Sequence, residues 1–114
     1  MKPVPIPRFK TVYAQYSCPI KNAASLIGDK WILFIIREFL YGKEKQGFLE
    51  LQRYLKPISS RTLAKKLKTL EQQGIILRKV IRKFPPKVEY ALTPKGKALQ
   101  EVLKGLAAWY KHQA

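Results

Sequence analysis

Across residues 75–92 the chain carries two runs rich in β-branched and aromatic residues, 75–84 and 87–92, hinged on the adjacent prolines Pro85 and Pro86. Such runs pair as an antiparallel hairpin, and the prolines belong at its tip because they cannot donate to the ladder. A lone two-stranded hairpin is marginal in water, so these strands must lean on another element. Everything that flanks them reads as helix. That juxtaposition restricts the chain to an α+β fold in which a small ribbon packs on a helical body.

Upstream, helical periods of apolar residues are cut by capping residues. Ala23, Ala24 and Ile27 share one face of a short helix beginning near Ile20, and Gly28 closes it. Asp29 caps the next helix, whose Trp31, Ile32, Leu33, Ile35, Ile36, Phe39 and Leu40 leave it apolar on nearly all sides, as a central core helix requires. Residues 42–47 read as a polar loop. Phe48, Leu51 and Leu55 then recur at helical spacing until Pro57 stops them. Ser59 or Ser60 caps a helix over residues 61–73 with an inward stripe of Leu63, Leu67 and Leu70, ended by Gly74.

After the hairpin, Thr93 caps a single last helix from Pro94 that carries Leu99, Val102, Leu103, Leu106 and Trp109. Four helices, a hairpin and a helix make a winged helix-turn-helix, mainly helical with a two-stranded β-hairpin wing. Pro3, Pro5 and Pro7 among Lys2, Arg8 and Lys10 favour an extended arm over residues 1–17, ahead of a domain at 18–112. That arm either tracks DNA or is a plain disordered end.

Charge narrows the partner. Lys and Arg number 23 against 7 acidic residues, a formal +16 on 114 residues. Self-repulsion of that size resists compaction unless an anion offsets it, which points to a polyanion, although a solvated basic surface would look the same in a bulk count. The lone Cys18 forbids an internal disulfide, and with His112 the only histidine no zinc cluster can be assembled. No metal or cofactor is therefore expected. The longest apolar run, 31–36, is too short to span a bilayer, and prolines interrupt the first 17 residues where a secretory leader needs an apolar stretch. A cytoplasmic protein without a membrane partner is expected. Asp29, Glu38, Glu44, Glu50, Glu71, Glu89 and Glu101 are scattered singly, with no pairing suited to acid–base or nucleophilic work, so no enzymatic activity is expected.

The charge is also patterned. Stepping about 100° per residue from Leu63 places Arg61, Lys65, Lys68 and Thr69 opposite the buried stripe, with Thr62 and Lys66 on the flanks. No acidic residue interrupts 61–70, whereas ordinary solvated helices mix both signs. Arg can bridge two guanine acceptors, lysines neutralise phosphates, and a helix N-terminus favours anions, so Ser59, Ser60, Arg61, Thr62, Lys65, Lys66 and Lys68 are the expected contacts of a major-groove helix. Arg78, Arg82, Lys83 and Lys87 make the hairpin cationic too, suited to phosphates or the minor groove.

Tyr13, Tyr16, Trp109 and Tyr110 lie near the chain ends, more aromatic surface than a domain of this size readily buries. With Leu99, Val102, Leu103 and Leu106 they suggest a homodimer interface, against the alternatives of packing on their own domain or of Tyr13 and Tyr16 stacking in a ligand pocket. Cys18, just before Pro19 and near Lys21, is either a redox sensor or an inert buried thiol. Three functions remain: a sequence-specific duplex-binding regulator, a non-specific architectural DNA-binding protein, and a module docking acidic proteins.

The segments CPIKNAASLIGDKW from Cys18, FLEL from Phe48, ISSRTLAKKLKTLEQQGII from Ile58, PPKVEYALTPKGKAL from Pro85 and LAAW ending at Trp109 together resemble the HxlR-type winged helix-turn-helix regulators, which are related to MarR-type proteins. The resemblance covers about Cys18 to Trp109. It implies a homodimer built from terminal helices, two recognition helices in successive major grooves of a roughly two-fold operator, and more often repression than activation. It further implies a cysteine sensor at the position of Cys18 in some members, and it admits a small-molecule effector of unspecified chemistry. The proline-bearing arm and the +16 charge depart from the family's usual pattern.

Overall fold

The computed structural model describes residues 18–113; the arm over 1–17, with Tyr13 and Tyr16, lies outside the described residues. Helix α1 spans Pro19–Ile27 and α2 spans Lys30–Tyr41. Strand β1 is Lys45–Gly47, followed by α3 at Phe48–Tyr54 and α4 at Ser60–Gln72. Strands β2 (Ile76–Arg82) and β3 (Lys87–Leu92) form the hairpin, and α5 (Pro94–Lys97) and α6 (Gln100–Gln113) complete the order.

The caps sit where residue chemistry puts them. Asp29 Oδ1 accepts from the N–H groups of Trp31 at 2.8 Å and Ile32 at 3.1 Å, starting α2. Ser59 rather than Ser60 caps α4, its Oγ accepting from Thr62 N–H at 3.0 Å. Gly74 leaves α4 with φ +72, a left-handed conformation that favours glycine, and lets the chain turn directly into β2.

Ile32, Ile35, Ile36 and Phe39 of α2, Leu51 of α3, Leu63, Leu67 and Leu70 of α4, and Ile76, Tyr90 and Leu92 of the sheet form one core, with Leu55, Ile58 and Ile75 closing the turns between them. Helix α2 is thus central, and the sheet leans on α3 and α4 as a marginal hairpin must.

Two expectations need correction. The polar loop over 42–47 contains a strand: β1 pairs antiparallel with β3, giving a three-stranded sheet in the order β1-β3-β2. Gln46 drives this, since its buried amide Nε2 donates to the carbonyls of Glu38 at 2.9 Å and Lys43 at 3.0 Å and fixes the segment beside the open edge of β3.

The single terminal helix is two. Thr93 Oγ1 donates to the carbonyl of Gly74, and Lys95 Nζ donates to that of Gln73 at 2.8 Å, which pins α5 to the corner between α4 and β2. Gly96 packs so close beneath Ile75 that an added Cβ would collide with the Ile75 carbonyl oxygen and stand 2.9 Å from Leu92 Cδ2. The chain then tightens, with Leu99 N–H bonding to Gly96 O at 3.0 Å, before α6 departs on its own course.

Candidate nucleic-acid interface

Helix α4 has two faces of opposite character. Leu63, Leu67 and Leu70 are at most 1% exposed, whereas Arg61, Lys65 and Lys68 stand in solvent and make no ion pair among the described residues. The buried stripe fixes which way those three cations point. The polar positions are more occupied. Ser59 caps α4 and donates its own hydroxyl hydrogen to Thr62 Oγ1 at 2.9 Å, and Ser60 Oγ accepts from Gln52 Nε2 of α3 at 2.8 Å. Thr69 Oγ1 donates back to the Lys65 carbonyl at 3.1 Å. Gln52, which sequence pattern does not single out, thereby joins α3 to the first turn of α4.

Lys66 is also engaged. Its ammonium ion-pairs with Asp29, so this flank lysine is held against the start of α2. Burial opposes ionisation of Asp29, but the Lys66 ammonium and the N–H groups of Ile32 and Trp31 outweigh it and hold the carboxyl below the usual carboxylate range.

The hairpin adds a second cationic surface. Residues opposite one another across a ladder share a face, so the pairing of Arg78 with buried Tyr90 turns Arg78 toward α4. Ala64, Lys68 and Glu71 of α4 line one concavity with Arg78 and Tyr90. Lys79 pairs with Glu89 on the other face. Beyond an irregularity between Val80 and Arg82, the ladder sets Arg82 opposite Lys87, with Lys83 exposed nearby. Like charges facing across a ladder are destabilising, and a bound phosphate would relieve them. Arg82 Nε also donates to Pro85 O at 3.0 Å, closing the tip.

At the chain ends, Leu99 and Leu103 are partly buried against the domain's own core, while Val102, Leu106, Trp109 and Tyr110 are 39%, 49%, 63% and 69% exposed. Cys18 is buried and serves as the N-cap of α1, its Sγ accepting from Lys21 N–H at 3.4 Å. Among the described residues no cluster of His, Cys, Asp or Glu could hold a metal ion, and no helix is long and apolar enough to cross a membrane.

Comparison with known proteins gives this surface a context. The model of the HxlR-like helix-turn-helix family matches residues 26–114. An HTH-type transcriptional regulator of Synechocystis sp. is 40% identical over 86 residues, covering 75% of this chain and 62% of that protein, so the match spans less than two thirds of that relative. The HTH-type transcriptional regulator YodB of Bacillus subtilis is 41% identical over 93 residues, 81% of each chain. Its reduced form superposes with a TM-score of 0.71 over 81% of this chain and 89% of that one, at 41% identity, and it has also been solved with quinone bound. The redox regulator HypR in its oxidised form superposes with a TM-score of 0.73 at 34% identity, over 83% of this chain and 96% of that one.

Proposed function

The chain belongs to the HxlR-like helix-turn-helix family of DNA-binding transcriptional regulators, and from that premise we propose that it is a sequence-specific repressor that binds double-stranded DNA as a homodimer in the cytoplasm. The domain is residues 18–112, with 1–17 as an arm. The segment 59–73, built on α4, enters the major groove, where Arg61 reads a base, Thr62 lies alongside and Lys65 and Lys68 meet phosphates. The wing, 75–92, lies on the backbone or minor groove through Arg78, Arg82, Lys83 and Lys87. Ser59 and Ser60 present the first turn of α4 to the backbone, and Lys66 stands beside it on Asp29.

The observation that carries this reading is the division of α4: a leucine stripe buried in the core behind an outward row of cations with no ion pair among the described residues, of which Lys68 shares a concavity with Arg78 of the wing. The test uses a duplex selected by the native protein from a randomised pool. Arg61→Ala should weaken binding to it by about 1 to 3 kcal/mol while leaving binding to scrambled duplex nearly unchanged. Equal weakening of both would remove Arg61 from base reading.

The exposed apolar row Val102, Leu106, Trp109 and Tyr110 on α6 supports a homodimer in which these side chains, with Tyr13 and Tyr16, meet a second copy, while Leu99 and Leu103, expected at that interface, spend part of their surface on the domain's own core. The main rival, a non-specific architectural coat, draws on the +16 charge and on Lys95, Lys97, Lys104 and Lys111. Of these, Lys95 is bonded to the Gln73 carbonyl, while Lys97 and Lys104 stand 3.7 and 3.8 Å from Glu44 and Glu101 in exposed pairs too weak to keep them from phosphate, so preference among competitor duplexes decides between the two readings.

Cys18 is a candidate sensor thiol in this reading, with oxidants or quinone-type electrophiles as effectors on the likeness to YodB and HypR, against the inert buried thiol that its 6% exposure and its bond from Lys21 N–H favour. Mild oxidant or a quinone should change operator affinity of the native protein and leave Cys18→Ser unaffected. Equal responses would sink the assignment.

A further inference from the structure

We propose that Asp29 is a positioning residue for DNA recognition, a single carboxylate that starts the central helix and straps α4 to it through Lys66. The inference rests on the duplex-binding reading and deepens it. Asp29 Oδ1 is oriented by the N–H groups of Trp31 and Ile32 at 2.8 and 3.1 Å, so the carboxylate is fixed to α2, which supplies four buried residues to the core. Its Oδ2 holds the ammonium of Lys66, 37 residues further along the chain. The two side chains are 29% and 24% exposed, and of the ion pairs among the described residues this alone has both partners less than a third exposed.

The strap does two things that the leucine stripe does not. Leu63, Leu67 and Leu70 set which face of α4 turns outward, and the strap adds to that packing a point restraint from the flank, tying the helix to the start of α2. A charged hydrogen bond from a flank residue is directional, and with side chains spaced by about 100° the rotation of α4 decides which of them meet base edges. Asp29 also withdraws Lys66 from the pool of cations available to phosphate, leaving Arg61, Lys65 and Lys68 outermost. A carboxylate in this place therefore favours the selected sequence twice, by holding the reading face and by lowering indiscriminate attraction.

The test compares native protein, Asp29→Asn, Lys66→Gln and the double variant on selected and scrambled duplexes across a salt series. Asparagine caps helices about as well as aspartate, so Asp29→Asn keeps the start of α2 and removes only the charge. With Lys66 released, Asp29→Asn should bind scrambled duplex more tightly and steepen the log–log salt slope by about 0.9, the share of one further neutralised phosphate. Preference for the selected duplex should shrink. Lys66→Gln cuts the strap without freeing a cation, so preference shrinks with no steepening, and the double variant matches it. A merely structural Asp29 would lower the thermal midpoint without steepening the slope. Unchanged slope and preference in Asp29→Asn would overturn the proposal.

Absence of duplex binding by the native protein would overturn the DNA reading itself, and the thermal midpoints of the four forms then judge the strap. Losses from the two substitutions that overlap in the double variant support the strap; losses that simply add overturn it.

Discussion

Helices α4 and α6 are nearly equal in length, 13 and 14 residues, and each carries apolar residues at helical spacing, yet they meet opposite fates. Helix α4 buries its whole leucine stripe and sends cations outward, whereas α6 buries no residue fully and leaves Trp109 and Tyr110 in solvent. The difference lies in what each helix has to pack on. Helix α4 fits between α2 and β2, while only the near end of α6, through Leu103, and Leu99 just before it reach the core. The described residues thus complete the packing of α4 and leave the apolar row of α6 exposed, the row that the proposed homodimer would cover.

Substitutions can break this contrast. Leu67→Ala, in the stripe of α4, should cost about 2 to 5 kcal/mol of folding stability in a denaturant titration, because it opens a cavity where no neighbour can follow. Trp109→Ala on α6 should do the reverse, barely moving monomer stability but weakening self-association by about 2 kcal/mol or more in sedimentation equilibrium, as a central aromatic anchor does. If Trp109→Ala instead destabilised the fold as Leu67→Ala does, α6 would be part of the domain's own core.

Gly96→Ala probes the joint between the two regions. The added methyl would press on the Ile75 carbonyl, and a loss of about 1 to 3 kcal/mol in thermal unfolding is expected. No loss would mean that the α5 corner yields easily.

The smallest effect concerns acid. The Asp29 carboxyl lies below its ordinary value near 3.8 in the folded chain, so its contribution is fully present above that value and fades as pH falls through the folded value. Native protein should therefore lose stability below about pH 4 more steeply than Asp29→Asn. Parallel acid profiles would show that the Lys66 pair carries no weight.

Much of this contrast was legible in the residues. Asp29, the Ser59 cap, Gly74 and Thr93 mark helix boundaries because each supplies a specific backbone partner or a specific φ, and such chemistry is local. The leucine stripe and its basic reverse follow from periodicity alone. What periodicity could not give was tertiary. The strand β1 is three residues long with no apolar alternation, and it exists because β3 has a free edge and Gln46 finds two carbonyls. The break between α5 and α6 follows Gly96, whose close approach to Ile75 exists only once the hairpin has folded, and Leu99 N–H closes on the Gly96 carbonyl at 3.0 Å there. Lys66 reads as one more phosphate-facing lysine until the fold brings Asp29 beside it.

A specific regulator and an architectural coat differ in whether α4 and the wing read sequence or only charge. The most direct measurement is a binding isotherm of the full chain on its selected duplex and on a scrambled one, across a salt series, with stoichiometry determined at saturation. A sequence-specific dimer should bind as two chains per site, with a preference for the selected duplex that survives physiological salt and both affinities falling as salt rises. Equal affinities that fall together with salt, with chains added in proportion to duplex length, would contradict it.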